Sequence, residues 1–141
     1  MTKDSWHKIN KNVLAKNIIA LNQVNELMKH FENFCLMRGM ALIVSKVYKL
    51  GERDMEDIDI CVDLEDKERF FSVMRELKYS FVPSGEYCFR RREWELPIDV
   101  HFENVKEIRR VRFFGRGFNV LSKKLLFLDL IKHSYFQHYE R

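Results

Sequence analysis

The segment Glu56-Asp57-Ile58-Asp59-Ile60 sets two carboxylates two residues apart between branched apolar side chains. On an extended strand the side chains alternate between faces. Asp57 and Asp59 would therefore project together, about 6.6 Å apart along the chain, while Ile58 and Ile60 enter a core. Adjacent carboxylates repel each other, and a divalent cation with hard oxygen ligands relieves that repulsion. Acids also alternate on the wet face of many sheets, so the pair alone does not separate the two readings. Ile98-Asp99-Val100-His101-Phe102 repeats the alternation, with Asp99 and His101 on one face. If its strand lies beside the first, three carboxylates can surround cations arranged for in-line phosphoryl chemistry, with Asp99 the added ligand. His101 is either a phosphate or metal contact or a hydrogen-bonded strand histidine. Arg53 either meets a polyphosphate, orients its loop against Asp57, or forms a surface salt bridge.

The elements that must position these groups follow from periodicity. From Trp6 to Phe34 apolar residues recur at three- and four-residue steps, predicting a long amphipathic helix that Arg38-Gly39 ends. Met40-Ala41-Leu42-Ile43-Val44 reads as a short buried strand, and Asp57 to Val62 as a strand with one covered face. Residues 65–78 place Phe70, Phe71, Met74 and Leu77 on one side of a second helix, and Pro83-Ser84-Gly85 reads as a turn. Glu86 to Trp94 and Leu96 to Phe102 are expected as an antiparallel pair, and Ser122 as the cap of a last helix. The expected order is α, β, β, α, β, β, α: a mixed sheet with helices packed on it, an α+β or α/β domain.

With 141 residues, 46% hydrophobic and 33% charged, the chain suits one domain over residues 1–141 and excludes disorder. It has no apolar run of the roughly 18 residues that cross a bilayer, so no membrane is expected. The polar start MTKDSWHKINKN lacks the apolar stretch of a secretory signal, which predicts a cytoplasmic protein. Cys35, Cys61 and Cys88 form no Cys-x-x-Cys pair and read as buried thiols. The net charge of +4 divides into +5 over residues 1–50, −7 over 51–104 and +6 over 105–141. An acidic centre between basic flanks suits a site that binds cations and a polyanion together. Arg90-Arg91-Arg92 and the group Arg109, Arg110, Arg112 and Arg116 read either as triphosphate or RNA contacts or as a solvated edge.

The residues resemble the DNA polymerase β-like nucleotidyltransferase superfamily. Its signature is an apolar strand ending in Gly-Gly or Gly-Ser, a spacer, Asp-h-Asp-h (h apolar), and a third carboxylate on a later strand. Leu42-Ile43-Val44-Ser45, Asp57-Ile58-Asp59-Ile60 and Ile98-Asp99-Val100-His101 follow that pattern. Gly51-x-Arg53-x-x-x-Asp57-x-Asp59, Ile-Asp-Val-His and Phe118-Asn119-Val120-Leu121-Ser122 look most like the small branch with lincosamide and minimal nucleotidyltransferases. The resemblance covers roughly residues 15 to 135. It implies that Asp57, Asp59 and Asp99 hold Mg²⁺ or Mn²⁺, and that Asp99 also assists deprotonation of the acceptor. It further implies a nucleoside triphosphate (ATP or another NTP) as donor, a small molecule, RNA or protein hydroxyl as acceptor, and a homodimer or partner protein completing the site. The glycine pair falls on Val44-Ser45, where the Ser45 hydroxyl and Lys46 ammonium would meet phosphate beside Arg53 and His101. That departure leaves a second reading, a catalytically impaired nucleotide- or RNA-binding module of the same fold, and the acids alone also suit a metal-dependent nuclease.

Overall fold

The computed structural model describes residues 10–83, 87–104 and 107–140, with side chains as far as residue 132. Helix α1 (Lys11–His30) begins where the Asn10 side chain accepts from the backbone N–H groups of Asn12 (2.8 Å) and Val13 (3.3 Å), satisfying donors that no helical carbonyl can reach. It ends at Phe31, which is extended (φ −153°). The expected start at Trp6 lies outside the described residues, and the expected end at Phe34 is too late, because Phe34–Leu36 forms strand β1.

The next segment corrects a second expectation. Met40 to Val44 is not a strand; it lies in helix α2 (Arg38–Val44), and all five residues are buried. A continuous apolar run carries no period to distinguish strand from helix. Here β1 already fills the strand position, and α2 is covered by elements on several sides. Strand β2 (Ile58–Val62) forms where a strand is expected, but all five of its residues are buried, so both of its faces are covered rather than one. A 3₁₀ turn (Leu64–Asp66) then leads into α3 (Lys67–Glu76), within the helix expected over 65–78.

Strands β3 (Ser80–Val82), β4 (Cys88–Arg90) and β5 (Ile98–Phe102) follow, and residues 84 and 85 of the expected turn lie outside the described residues. The β4/β5 pair is antiparallel as expected, but β4 is shorter than Glu86–Trp94. The buried Arg91 guanidinium grips Glu95 through two hydrogen bonds of 2.7 and 2.6 Å and pairs with Glu26 at 2.8 Å, drawing the chain out of the ladder. Strand β3 and two further strands were not anticipated. β6 (Ile108–Phe113) and β7 (Arg116–Leu121) form a hairpin whose turn residues, Phe114 and Gly115, both have positive φ (49° and 74°), the backbone of a two-residue turn that suits strand twist. Helix α4 (Lys123–Glu140) closes the order α1-β1-α2-β2-α3-β3-β4-β5-β6-β7-α4. Its first turn is capped as expected: the Leu125 N–H donates to Ser122 Oγ at 3.3 Å.

The seven strands form one mixed sheet in the order β3-β4-β5-β2-β1-β7-β6, so the fold is α+β. β2 lies parallel to β5 and antiparallel to β1. The sheet face carrying Ile58, Ile60, Val100 and Phe102 is packed by α1 and α3. There the fully buried Phe70 meets Phe31, Phe89 and Phe102 edge-on, with centroids 5.5–5.8 Å apart. The opposite face carries Asp59, Cys61, Asp99 and His101, with α4 over part of it. None of the helices among the described residues is long and apolar enough to cross a membrane.

One buried amide ties α1 to the loop that leads to the acids. The fully buried Asn17 accepts from the Gly51 N–H at 2.9 Å and donates to the Arg53 carbonyl at 3.2 Å. Asn17→Leu keeps the branching of the side chain but strands both backbone groups. It is expected to lower stability by about 2–4 kcal/mol, read as a shifted urea midpoint at unchanged slope.

Candidate active site

Each acid owes its position to strand pairing. In the parallel β2/β5 ladder Ile58 faces Ile98, Asp59 faces Asp99 and Ile60 faces Val100. The branched residues bury on one side, and the register forces Asp59 and Asp99 to share the other. Asp57, immediately before β2, completes the group. One carboxylate oxygen from each of Asp57, Asp59 and Asp99 lies within 4.8 Å of the others. The adjacency of these strands, on which the three-carboxylate reading depends, is thus present.

The electrostatics are those of crowded like charges. Burial, the hydrogen bond with Asp99 and the neighbouring charges of Asp59 and Asp99 push the Asp57 carboxyl up to about 8. Asp59 is more buried still, and burial alone would raise it, yet the His101 contact and the Arg38 charge outweigh burial and hold it below the usual carboxylate range. The Arg38 guanidinium donates to Asp59 Oδ1 at 3.1 Å and, through Nε, to Asp129 Oδ2 on α4 at 3.2 Å. His101 Nε2 stands 3.5 Å from Asp59 Oδ1. An all-oxygen donor set this close, with one carboxylate kept protonated by its neighbours, fits a hard divalent cation that would replace the proton.

Asp57 and Asp59 line a cavity of about 260 Å³ that Arg38, Gly39, Arg53 and Leu130 also line. Arg53 lines this cavity with its guanidinium 5.1 Å from the centre of the Tyr48 ring. Ser45 and Lys46 do not join the group. They follow α2, whose seven residues rise about 10 Å from Arg38. Ser45 Oγ accepts from Arg109 at 3.0 Å, and Lys46 lines a separate cavity with Phe113 and Phe114. The strand thought to carry them is a helix, so the corresponding strand-to-helix bend is Met37-Arg38-Gly39. A Cβ on Gly39 would come within 2.9 Å of Met55 Sδ, and Gly39 packs at the acid cavity itself.

Most of the clustered arginines are engaged within the fold, while Arg90 and Arg116 are exposed. Arg91 is a structural clamp and Arg92 pairs with Glu95 at 3.2 Å. Arg110 bonds Asn119 and Arg112 bonds the Gly115 carbonyl, both on the edge hairpin, which β1 separates from β2. Sequence reasoning missed Arg38 and Asp129. The only signal was the Arg38-Gly39 pair itself, read as a helix end. Arg38 in fact opens α2 with a positive φ of 50°.

Residues 2–141 match the model of a family described as "Uncharacterised nucleotidyltransferase", and the chain belongs to that family. A proposed nucleotidyltransferase from Thermotoga maritima, TM1012, has a similar fold at a TM-score of 0.60 and 15% identity, over 85% of this chain and 86% of that one. The lincosamide antibiotic adenylyltransferase LnuA, solved with lincomycin bound, is similar at a TM-score of 0.61 and 14% identity, over 85% of each chain. No curated protein matches the sequence.

The raised Asp57 carboxyl has a measurable consequence. An unfolded carboxyl titrates near 3.8 and the folded one at about 8, so between these values the folded state holds the extra proton. This contribution to stability is full below about pH 4 and is lost as pH rises through about 8. Asp59 and Glu95 are held low and add no slope in that window. Metal-free protein should therefore lose thermal stability from about pH 5 to pH 9, and Asp57→Asn should flatten that part of the profile. Saturating Mn²⁺ should flatten it too, because ionised Asp57 then has a partner. A wild-type slope that neither change alters would contradict the assignment.

Proposed function

We propose that the protein is a Mg²⁺-dependent nucleotidyltransferase (Mn²⁺ substituting) that moves a nucleoside monophosphate from an NTP to a hydroxyl acceptor. The observation that carries this reading is the in-register pairing of Asp59 with Asp99 beside Asp57, in a chain of a nucleotidyltransferase family. Asp57, Asp59 and Asp99 would hold the metal, which when bound neutralises triphosphate charge and makes the acceptor hydroxyl more acidic.

The residues of the chain supply the rest. The acceptor oxygen bonds to the α-phosphorus as the bond from that phosphorus to pyrophosphate breaks. Asp99 takes the hydroxyl proton and passes it to water. Arg38, anchored by Asp129, keeps Asp59 aimed and ionised, and the His101 ring supports the same oxygen. Arg53, at the mouth of the acid cavity, meets the polyphosphate. The impaired-module reading depends on Val44-Ser45 occupying the glycine position. That pair is the end of α2, and Gly39 lines the acid cavity, so the reading loses its observation.

The test is transfer of label from α-labelled ATP, CTP, GTP and UTP in the presence of Mg²⁺ or Mn²⁺. Asp57→Asn and Asp59→Asn should each reduce transfer at least about 100-fold while far-ultraviolet circular dichroism is unchanged, since each removes a metal ligand and a transition-state charge. Label transfer that persists in both variants would refute the assignment.

A further inference from the structure

A cavity of about 500 Å³ opens where the chain leaves α2 and meets the tip of the β6/β7 hairpin, and it shares no lining residue with the acid cavity. Its walls are Tyr48, Leu50, Phe113 and Phe114, and Lys46 and Lys49 stand exposed around them. No carboxylate lines it among the described residues. Glu52, whose Oε2 accepts from the Lys49 N–H at 2.8 Å, is outside the lining. Phe114 sits in the left-handed turn of the hairpin and is 80% exposed, the highest value for a large apolar side chain among the described residues. Its ring meets that of Phe113 edge-on, with centroids 4.6 Å apart, so it is held in place while most of its surface faces water. Val47, beside Lys46, is 61% exposed. Apolar surface left uncovered in one place marks a contact site.

The charge around this surface has one sign. Residues 38–51 hold three basic and no acidic side chains, and residues 108–122 hold four and none. Strand register decides which of these cations belong to the surface. Arg116 faces Phe113 across the β6/β7 ladder, so the two project to the same side, and Arg116 is exposed. Arg109 alternates with Phe113 on that side and donates to Ser45 Oγ at 3.0 Å, which turns the side toward the end of α2. Arg110 and Arg112 project to the opposite face.

Aromatic rings set among cations, with no carboxylate, complement a ligand that alternates flat apolar groups with negative charge. A single nucleic-acid strand has that chemistry, because its bases are free to stack while its phosphates carry the charge; a duplex hides its bases. An acidic peptide meets the same cations but brings no flat ring at every repeat. We propose that this surface binds single-stranded nucleic acid, with a base stacked on Phe114 in the cavity and the flanking phosphates against Lys46, Lys49 and Arg116. The site stands on its own lining and is independent of the transferase reading.

The test is fluorescence anisotropy of labelled RNA and DNA single strands of about 12 nucleotides and of an RNA duplex of the same length. EDTA is present, so that no metal bridges a strand to the acids. The expected result is binding of the single strands that weakens with salt at a log–log slope near −2, about −0.7 for each of three phosphates met. Phe114→Ala should weaken binding roughly 5- to 100-fold, and Phe114→Leu, which keeps apolar area and loses the ring, nearly as much. Lys46→Ala, Lys49→Ala and Arg116→Ala should each make the slope shallower by about 0.7. Arg110→Ala should leave the affinity within about twofold. All five side chains are exposed, so these variants keep the fold. No binding of any single strand, equal binding of the duplex, unchanged affinity in Phe114→Ala, full rescue by Phe114→Leu, or an equal loss in Arg110→Ala would overturn the assignment. Displacement of the strand by poly-L-glutamate at matched charge would overturn it too, and would make the surface a site for an acidic protein.

Discussion

The parallel pairing of β2 with β5 is the constraint on which the rest of the structure depends. It joins two opposite demands in one ladder. On one face it packs Ile58, Ile60, Ile98 and Val100, all within 2% of full burial, against the helices. On the other it brings Asp59 beside Asp99, a contact that Coulomb repulsion opposes. Burial of one face is strong enough to impose the register, because a slip of one residue would turn every isoleucine outward. The apolar side of the sheet therefore holds the acidic side in an arrangement that the acids alone would not adopt.

The neighbouring structure makes that arrangement tolerable. Arg38 offers one guanidinium to Asp59 and Asp129, and its φ of 50° is a conformation that a side chain of its size seldom takes without compensation. The two ion pairs provide it. The preceding loop is fixed from behind by Asn17, whose single amide satisfies Gly51 and Arg53. Gln23, one helical turn and a half further along α1, bonds the Leu96 N–H and carbonyl at 3.0 and 2.9 Å, just ahead of β5. One helix thus pins the approaches to both acid-bearing strands from the core side. This explains why two buried amides stand in an otherwise apolar stripe.

Much of this was legible in the chain, and the boundary has physical causes. Asp57, Asp59 and Asp99 stood out because strand alternation is a strict rule, and Asp59 and Asp99 each sit between β-branched neighbours. The helix over residues 67–76 was legible because its apolar residues recur with helical spacing. Met40 to Val44 was not, because five apolar residues in a row fit a buried strand and a buried helix equally well; only the competition with Phe34–Leu36 for the place in the sheet decides it. The hairpin of β6 and β7 was obscured by its arginines, whose charges suggested a binding patch although alternate residues, Arg109, Val111 and Phe113, turn toward the sheet interior. Arg38 and Asp129 are 91 residues apart, and no local pattern relates them.

The error over α2 also moved the chemistry. Taking Leu42 to Val44 as the first strand put the phosphate-facing bend at Ser45 and made the chain look defective where the fold family uses glycine. With β1 at Phe34–Leu36 the bend falls on Arg38-Gly39, at the acids, and Ser45 becomes a packing residue hydrogen-bonded to Arg109. Moving the bend six residues, from Val44-Ser45 to Arg38-Gly39, thus puts a glycine beside the acids. The acids were the fixed reference throughout, because a site is defined by the groups that converge on its reacting atoms. Elements read from the sequence gain functional meaning only when packing shows which of their ends reaches that point.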